Sequence, residues 1–122
     1  MSADADVTNV FVREEKDGTW TFHVSVKHPD KGFGDFADGW DLVTTSGAVI
    51  KQDPRQRFTK ILRHPHIKEQ PFTRTVKGVR IPDGVEELTV RAHDSLGGFG
   101  GKEVQVKLSR RFGKNFSVKR AL

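Results

Sequence analysis

Residues 20–27 alternate large apolar and polar side chains without a break: Trp20, Phe22, Val24 and Val26 against Thr21, His23, Ser25 and Lys27. A period of two sends the two sets to opposite faces of an extended strand, so the segment needs a sheet with one buried face. His23 falls on the polar face and reads as a solvent-facing residue with no role. The pattern recurs along the chain. Residues 7–15 form a Val- and Phe-rich run closed by Lys16-Asp17-Gly18, a tight-turn signal. Trp40 and Leu42 resume the alternation up to Thr45, before a Ser46-Gly47 turn. From Val49 a further run reaches toward His64 across Asp53-Pro54-Arg55, where proline demands a bulge or an edge. Residues 72–81, then Leu88, Val90 and Ala92, then Val104, Val106 and Leu108 supply the rest. Apolar residues never recur at helical spacing over two turns, so little or no helix is expected.

About seven short strands with turn signals between them predict an all-β, two-sheet antiparallel sandwich of immunoglobulin or fibronectin type III kind. Trp40 stands at the start of the third strand, where such sandwiches bury a central ring. At 122 residues the chain makes one domain with a single core. The predicted organisation is a flexible N-terminus over 1–6, the sandwich over 7–108 and a basic tail over 109–122. That tail holds Arg110, Arg111, Lys114, Lys119 and Arg120 and no acid. Of 21 basic residues, 21 − 5 = 16 therefore fall in residues 1–108, against all 16 acidic ones, and the net charge of +5 belongs to the tail. A solvated, frayed segment is the plain reading. Phe112 and Phe116 among the basic residues keep nucleic acid or anionic lipid as a lesser one. No apolar run reaches the ~20 residues of a membrane span. The absence of cysteine excludes disulfides, thiolate nucleophiles and zinc-finger sites.

Chemistry gathers elsewhere. If successive strands run up and down, the loops after the second, fourth and sixth strands emerge at one end. That end would carry His28, Asp30, Asp35 and Asp38, then His64, His66 and Glu69, then His93 and Asp94. Four of the five histidines fall there. A borderline divalent ion such as Cu(II) or Zn(II) takes two or three imidazoles and a carboxylate. His64 and His66 flank Pro65, His28 or His93 could add a third nitrogen, and Glu69 or Asp94 could complete or orient the set. Against this stands the plainer reading that these side chains tie down long loops by bonding nearby backbone. The three aspartates of the first loop match no calcium-loop spacing.

Catalytic motifs are missing. His93, Asp94 and Ser95 are consecutive, but neighbours on a strand point to alternating faces, and no strand-turn-helix elbow presents the serine. The run Gly97-Gly98-Phe99-Gly100-Gly101 lacks the lysine and helix of a phosphate loop and reads as a hairpin tip. A non-enzymatic binding module is the expectation. Phe33, Phe36 and Phe99 on loops open a second reading, a protein- or glycan-interaction surface with no metal.

The string from His64 to Arg74, His-Pro-His-Ile-Lys-Glu-Gln-Pro-Phe-Thr-Arg, resembles a motif of small bacterial exported β-domain proteins for which no activity is established. So do residues 78–82, 90–95 and 98–102, and the likeness covers roughly residues 7–107. It implies an envelope or periplasmic setting, with Met1 standing where a leader was removed; residues 1–6 themselves lack the basic start and apolar run of a signal peptide. The stretch around 52–56 and the basic tail depart from the pattern.

Overall fold

The structure, a computed structural model, describes residues 4–121. It holds ten strands: β1 Asp6–Glu14, β2 Trp20–Lys27, β3 Ala37–Thr44, β4 Lys60–Ile61, β5 Phe72–Val79, β6 Glu87–Asp94, β7 Gly98–Phe99, β8 Val104–Lys107, β9 Phe112–Gly113 and β10 Phe116–Lys119. No helix occurs among the described residues. One sheet runs β5-β2-β1-β10-β9, the other β4-β3-β6-β7, with β8 also paired to β6. The chain is an all-β, two-sheet sandwich. Strands one, two and five lie in one sheet, and three, four, six and eight in the other, the partition that immunoglobulin-like topology requires. All named pairings are antiparallel except β1 with β10.

Period-two burial builds the core. Phe22, Val24 and Val26 of β2 face Trp40 and Leu42 of β3, and Val90 of β6 joins them, all fully buried. Each such side chain stabilises the fold by about 1.5–3 kcal/mol through removal from water. Trp40 is 0% exposed, in the position expected of it. The outward face of β2 is less idle than the alternation suggested. His23 is half-buried, stacks on Phe11 with ring centroids 5.4 Å apart, and its Nδ1 lies 2.7 Å from the Thr75 hydroxyl.

The stretch 109–122, read from sequence as a tail outside the domain, contributes two of the ten strands within its described residues 109–121. Val10, Val12 and Arg13 of β1 register with Phe116, Val118 and Lys119 of β10. Phe116 and Val118 are buried, which leaves only the alternate positions for the basic side chains. Arg120 Nε donates to Glu14 Oε1 (3.0 Å), as does the Ala121 N–H (3.0 Å). These bonds, the guanidinium first, hold the Glu14 carboxyl below its ordinary range. At the other terminus, residues 1–3 of the expected flexible segment lie outside the described residues. Ala5 is buried, and Asp6 begins β1.

The run from Val49 toward His64 shortens to β4, because Asp53-Pro54-Arg55 turns the chain instead of extending it. The segment folds back over the outer face of β3. Thr59 donates its N–H to Asp41 Oδ1 (3.1 Å), and the Leu42 N–H donates to the Thr59 hydroxyl (3.0 Å). Phe58 then lies flat on Gly39, where a Cβ would come within 2.0 Å of the ring, so only glycine admits it.

A candidate metal site at the loop end

The loops after β2, β4 and β6 do meet at one end, and a single carboxylate joins two of them. After Lys27 the chain enters His28-Pro29-Asp30; Pro29 cannot donate to a ladder, and the Asp30 N–H turns back to the His28 carbonyl (2.8 Å). Asp30 is thereby aimed at its neighbour's ring. Its Oδ1 accepts from His28 Nδ1 (2.6 Å) and from the Ala37 N–H (3.1 Å), and its Oδ2 from the His66 N–H (2.6 Å). Gln70 spans the same loops. Its Oε1 accepts from the His28 N–H (2.9 Å), while its Nε2 donates to the His66 carbonyl (2.7 Å). The third loop joins through Ser95, whose hydroxyl accepts from the Phe36 N–H (3.1 Å) and whose N–H donates to the Phe36 carbonyl (2.9 Å).

A carboxylate only accepts, so His28 Nδ1 carries a proton, and Nε2 lies on the far side of the ring. His28 is 0% exposed, and Nε2 lacks a hydrogen-bond partner. Two acids face it. Asp94 Oδ1 lies 3.5 Å away and Asp35 Oδ1 3.6 Å away, and the three donor atoms fall within 4.8 Å of one another. Asp94 ends β6 on the inward side, in phase with Leu88, Val90 and Ala92. Asp35 arrives by a tight return in which the Lys31 N–H donates to the Asp35 carbonyl (2.9 Å) and the Asp35 N–H to the Gly32 carbonyl (3.1 Å). Gly32 there has φ 139°, open to glycine and costly for other residues.

A ring nitrogen facing two carboxylates calls for positive charge between them, a proton on Nε2 or a metal cation. Donors at about 2.1 Å around a tetrahedral ion stand about 3.4 Å apart, close to the separations found from His28 Nε2 to each acid. With an Asp on Nδ1, the imidazole has the support that metal-bound histidines use to fix tautomer and ring orientation.

The other histidines lie in different settings. His66 is buried and stacked on Phe72 (3.9 Å between centroids), and its Nε2 is 2.6 Å from Arg74 Nη2. Arginine can only donate, so that lone pair is taken; Nδ1 must carry the proton and points toward Asp30 Oδ2 at 3.9 Å. Burial first, then the Arg74 cation and His64, lowers the His66 pKa against the opposing pull of Asp30 and Glu69. His64 and Glu69 are exposed, and the Glu69 carboxylate meets Arg74 at 3.4 Å. His93 precedes Asp94 and therefore points outward from β6. Its Nδ1 lies 2.6 Å from Asp38 Oδ1, its Nε2 3.5 Å from Arg57 Nη2.

Of the residues singled out from sequence, the structure thus brings His28 and Asp94 together, leaves His64, His66 and Glu69 as a neighbouring group closed by Arg74, and puts His93 on the outer face. Phe33 is exposed at the loop end, edge-on to Phe36. Phe99 lies on the outer face against His93, with the Arg91 guanidinium 3.9 Å above its ring. Sequence placed Asp30 and Asp35 at this end as acceptors that tie down the loop, as Asp30 does, and not among the metal donors. The available signal was the inward phase of Asp94 on an otherwise apolar face, which obliges a buried partner.

No family model matches the chain, and no solved structure matches it. A protein of Halomicrobium mukohataei described as "Putative lipoprotein" is 29% identical over 103 residues, covering 84% of this chain and 47% of the relative. The chain spans about half the length of that relative.

Proposed function

We propose that the protein is a non-enzymatic, extracytoplasmic binding module whose loop end holds a divalent transition-metal ion on His28 Nε2, Asp35 Oδ1 and Asp94 Oδ1. The observation that carries this reading is the buried His28 Nε2, unpartnered and facing two carboxylates. Charge supports it. Three carboxyl groups gather around one imidazole, a donor set that a dication suits. One nitrogen and two oxygens suit Zn(II) or Cu(II), with a fourth position for water or an incoming donor. Asp35, 16% exposed at its side chain, gives the ion its way in. The relative described as a lipoprotein and the resemblance to exported proteins support the extracytoplasmic setting.

The test is calorimetric titration of chelator-stripped protein with Zn(II) and Cu(II), beside His28→Gln and Asp35→Asn. One-to-one binding weakened by both substitutions is expected. Absent binding, or binding that both variants retain, would remove the ion and leave His28 as a structural imidazolium among the carboxylates.

A further inference from the structure

The three loops that enclose His28 each end in one exposed apolar side chain. Phe33 is 72% exposed, Ile67 64% and Leu96 66%. They belong to one surface, since Phe33 is packed on Phe36, Phe36 is bonded to Ser95 beside Leu96, and His66 beside Ile67 is bonded to Asp30. Around them stand exposed Lys27, Lys31, Arg63 and Lys68, against one exposed acid of these loops, Glu69, which already meets Arg74. The strand starts beside them add Lys102 and Lys114 against Asp4, Asp6 and Glu103, so the rim carries six basic and four acidic side chains, an excess of two. Asp30 and Asp94 are buried beneath this surface and Asp35 is largely covered, and their charge is directed inward to His28.

We infer that this end docks on the surface of an anionic lipid bilayer, with Phe33, Ile67 and Leu96 entering the boundary between headgroups and acyl chains. The arrangement favours lipid over protein. A protein partner rewards anchors clustered in a packed centre; here single apolar side chains project from separate loop tips, flanked by Gly32 and Gly34, Lys68 and Gly97. Projecting apolar groups with cationic neighbours are what an interface of acyl chains and anionic headgroups accommodates. The proposal does not depend on the metal, because none of these side chains is a donor in the His28 site.

Co-sedimentation of the full chain with vesicles of equimolar phosphatidylcholine and phosphatidylglycerol tests it. The chain should pellet with these vesicles and not with pure phosphatidylcholine. The triple variant Phe33→Ser, Ile67→Ser, Leu96→Ser should bind at least about tenfold more weakly. Its melting temperature should fall only slightly, since all three side chains are exposed and only Phe33 loses a ring contact, with Phe36. An Arg110→Gln, Arg111→Gln variant, altered in the other basic region, should bind as the parent does. Equal binding to pure phosphatidylcholine, undiminished binding by the triple variant, or no binding at all would each overturn the proposal, the last leaving an acidic protein as the better occupant.

Discussion

His28 with Asp30 and His93 with Asp38 are the same chemical pair in two settings. Each imidazole holds a carboxylate oxygen on Nδ1 at 2.6 Å, and each pair sits where the loops join the sheets. They differ at the other nitrogen. His28 Nε2 faces Asp35 and Asp94, whereas His93 Nε2 faces the Arg57 guanidinium, as His66 Nε2 faces Arg74. One arrangement attracts a cation and the other already contains one. Residue type and spacing therefore do not separate the two pairs; the charge opposite the second nitrogen does.

The largest difference between the pairs should appear in stability. Asp30 is buried and satisfies three donors on two loops, so Asp30→Ala strands His28 Nδ1 and two backbone N–H groups and should cost about 3–5 kcal/mol in urea unfolding. Asp38 accepts from one ring rather than three donors and Arg57 remains beside its ring partner, so Asp38→Ala should cost less, about 1–2 kcal/mol. Similar costs for the two would break the contrast.

Binding separates the pairs next. His28→Gln should weaken Zn(II) affinity by at least about 100-fold, and Asp30→Asn by about 10- to 100-fold through loss of ring support. His93→Gln should leave the titration unchanged. If His93→Gln weakens binding as much as His28→Gln, the ion lies elsewhere.

Conversion of one setting into the other is a sharper test with a smaller effect. Arg57 is exposed, and Arg57→Asp would set a carboxylate opposite His93 Nε2 in place of the cation. A second, weaker binding event should then follow the first in calorimetry, lost again on adding His93→Gln. A titration identical to the parent's would show that burial, not the opposing charge, makes the difference.

How much of this was readable beforehand follows from the range of the forces involved. Period-two alternation is a local property, so β2, the inward Trp40 and the sandwich were visible in the sequence, as was the meeting of alternate loops at one end. β10 was not. Its Phe116 and Val118 show the same alternation over only four residues, in a stretch dominated by arginine and lysine, and its partner β1 lies more than a hundred residues away. The site was half visible for a related reason. His-x-His spacing drew attention to His64 and His66, but the contacts that decide the matter, Arg74 on His66 and Asp94 on His28, join residues 8 and 66 positions apart. Along β6 the alternation did carry the answer, since it sends His93 out and Asp94 in.

His66 offers the smallest and most specific test, because its closed nitrogen should be legible in the pH dependence of stability. Its folded pKa lies below the ordinary value of 6.5, mainly through burial and then through Arg74. Between the folded and the unfolded value the unfolded chain binds more protons, so stability rises with pH there. The His66 contribution is fully present above about pH 6.5 and is lost as pH falls through that window toward the folded pKa. Melting temperatures between about pH 7.5 and about pH 5.5 should therefore fall on the acid side in the parent and less in His66→Gln. Arg74→Gln removes the cation that opposes protonation, so the acid-side loss should shrink there too, while His66 stays stacked on Phe72. An unchanged slope in Arg74→Gln would mean that burial, with His64, keeps His66 neutral without Arg74. Arg74 would then be a neighbour of that nitrogen without governing its charge, and the parallel drawn with Arg57 and His93 would rest on geometry only.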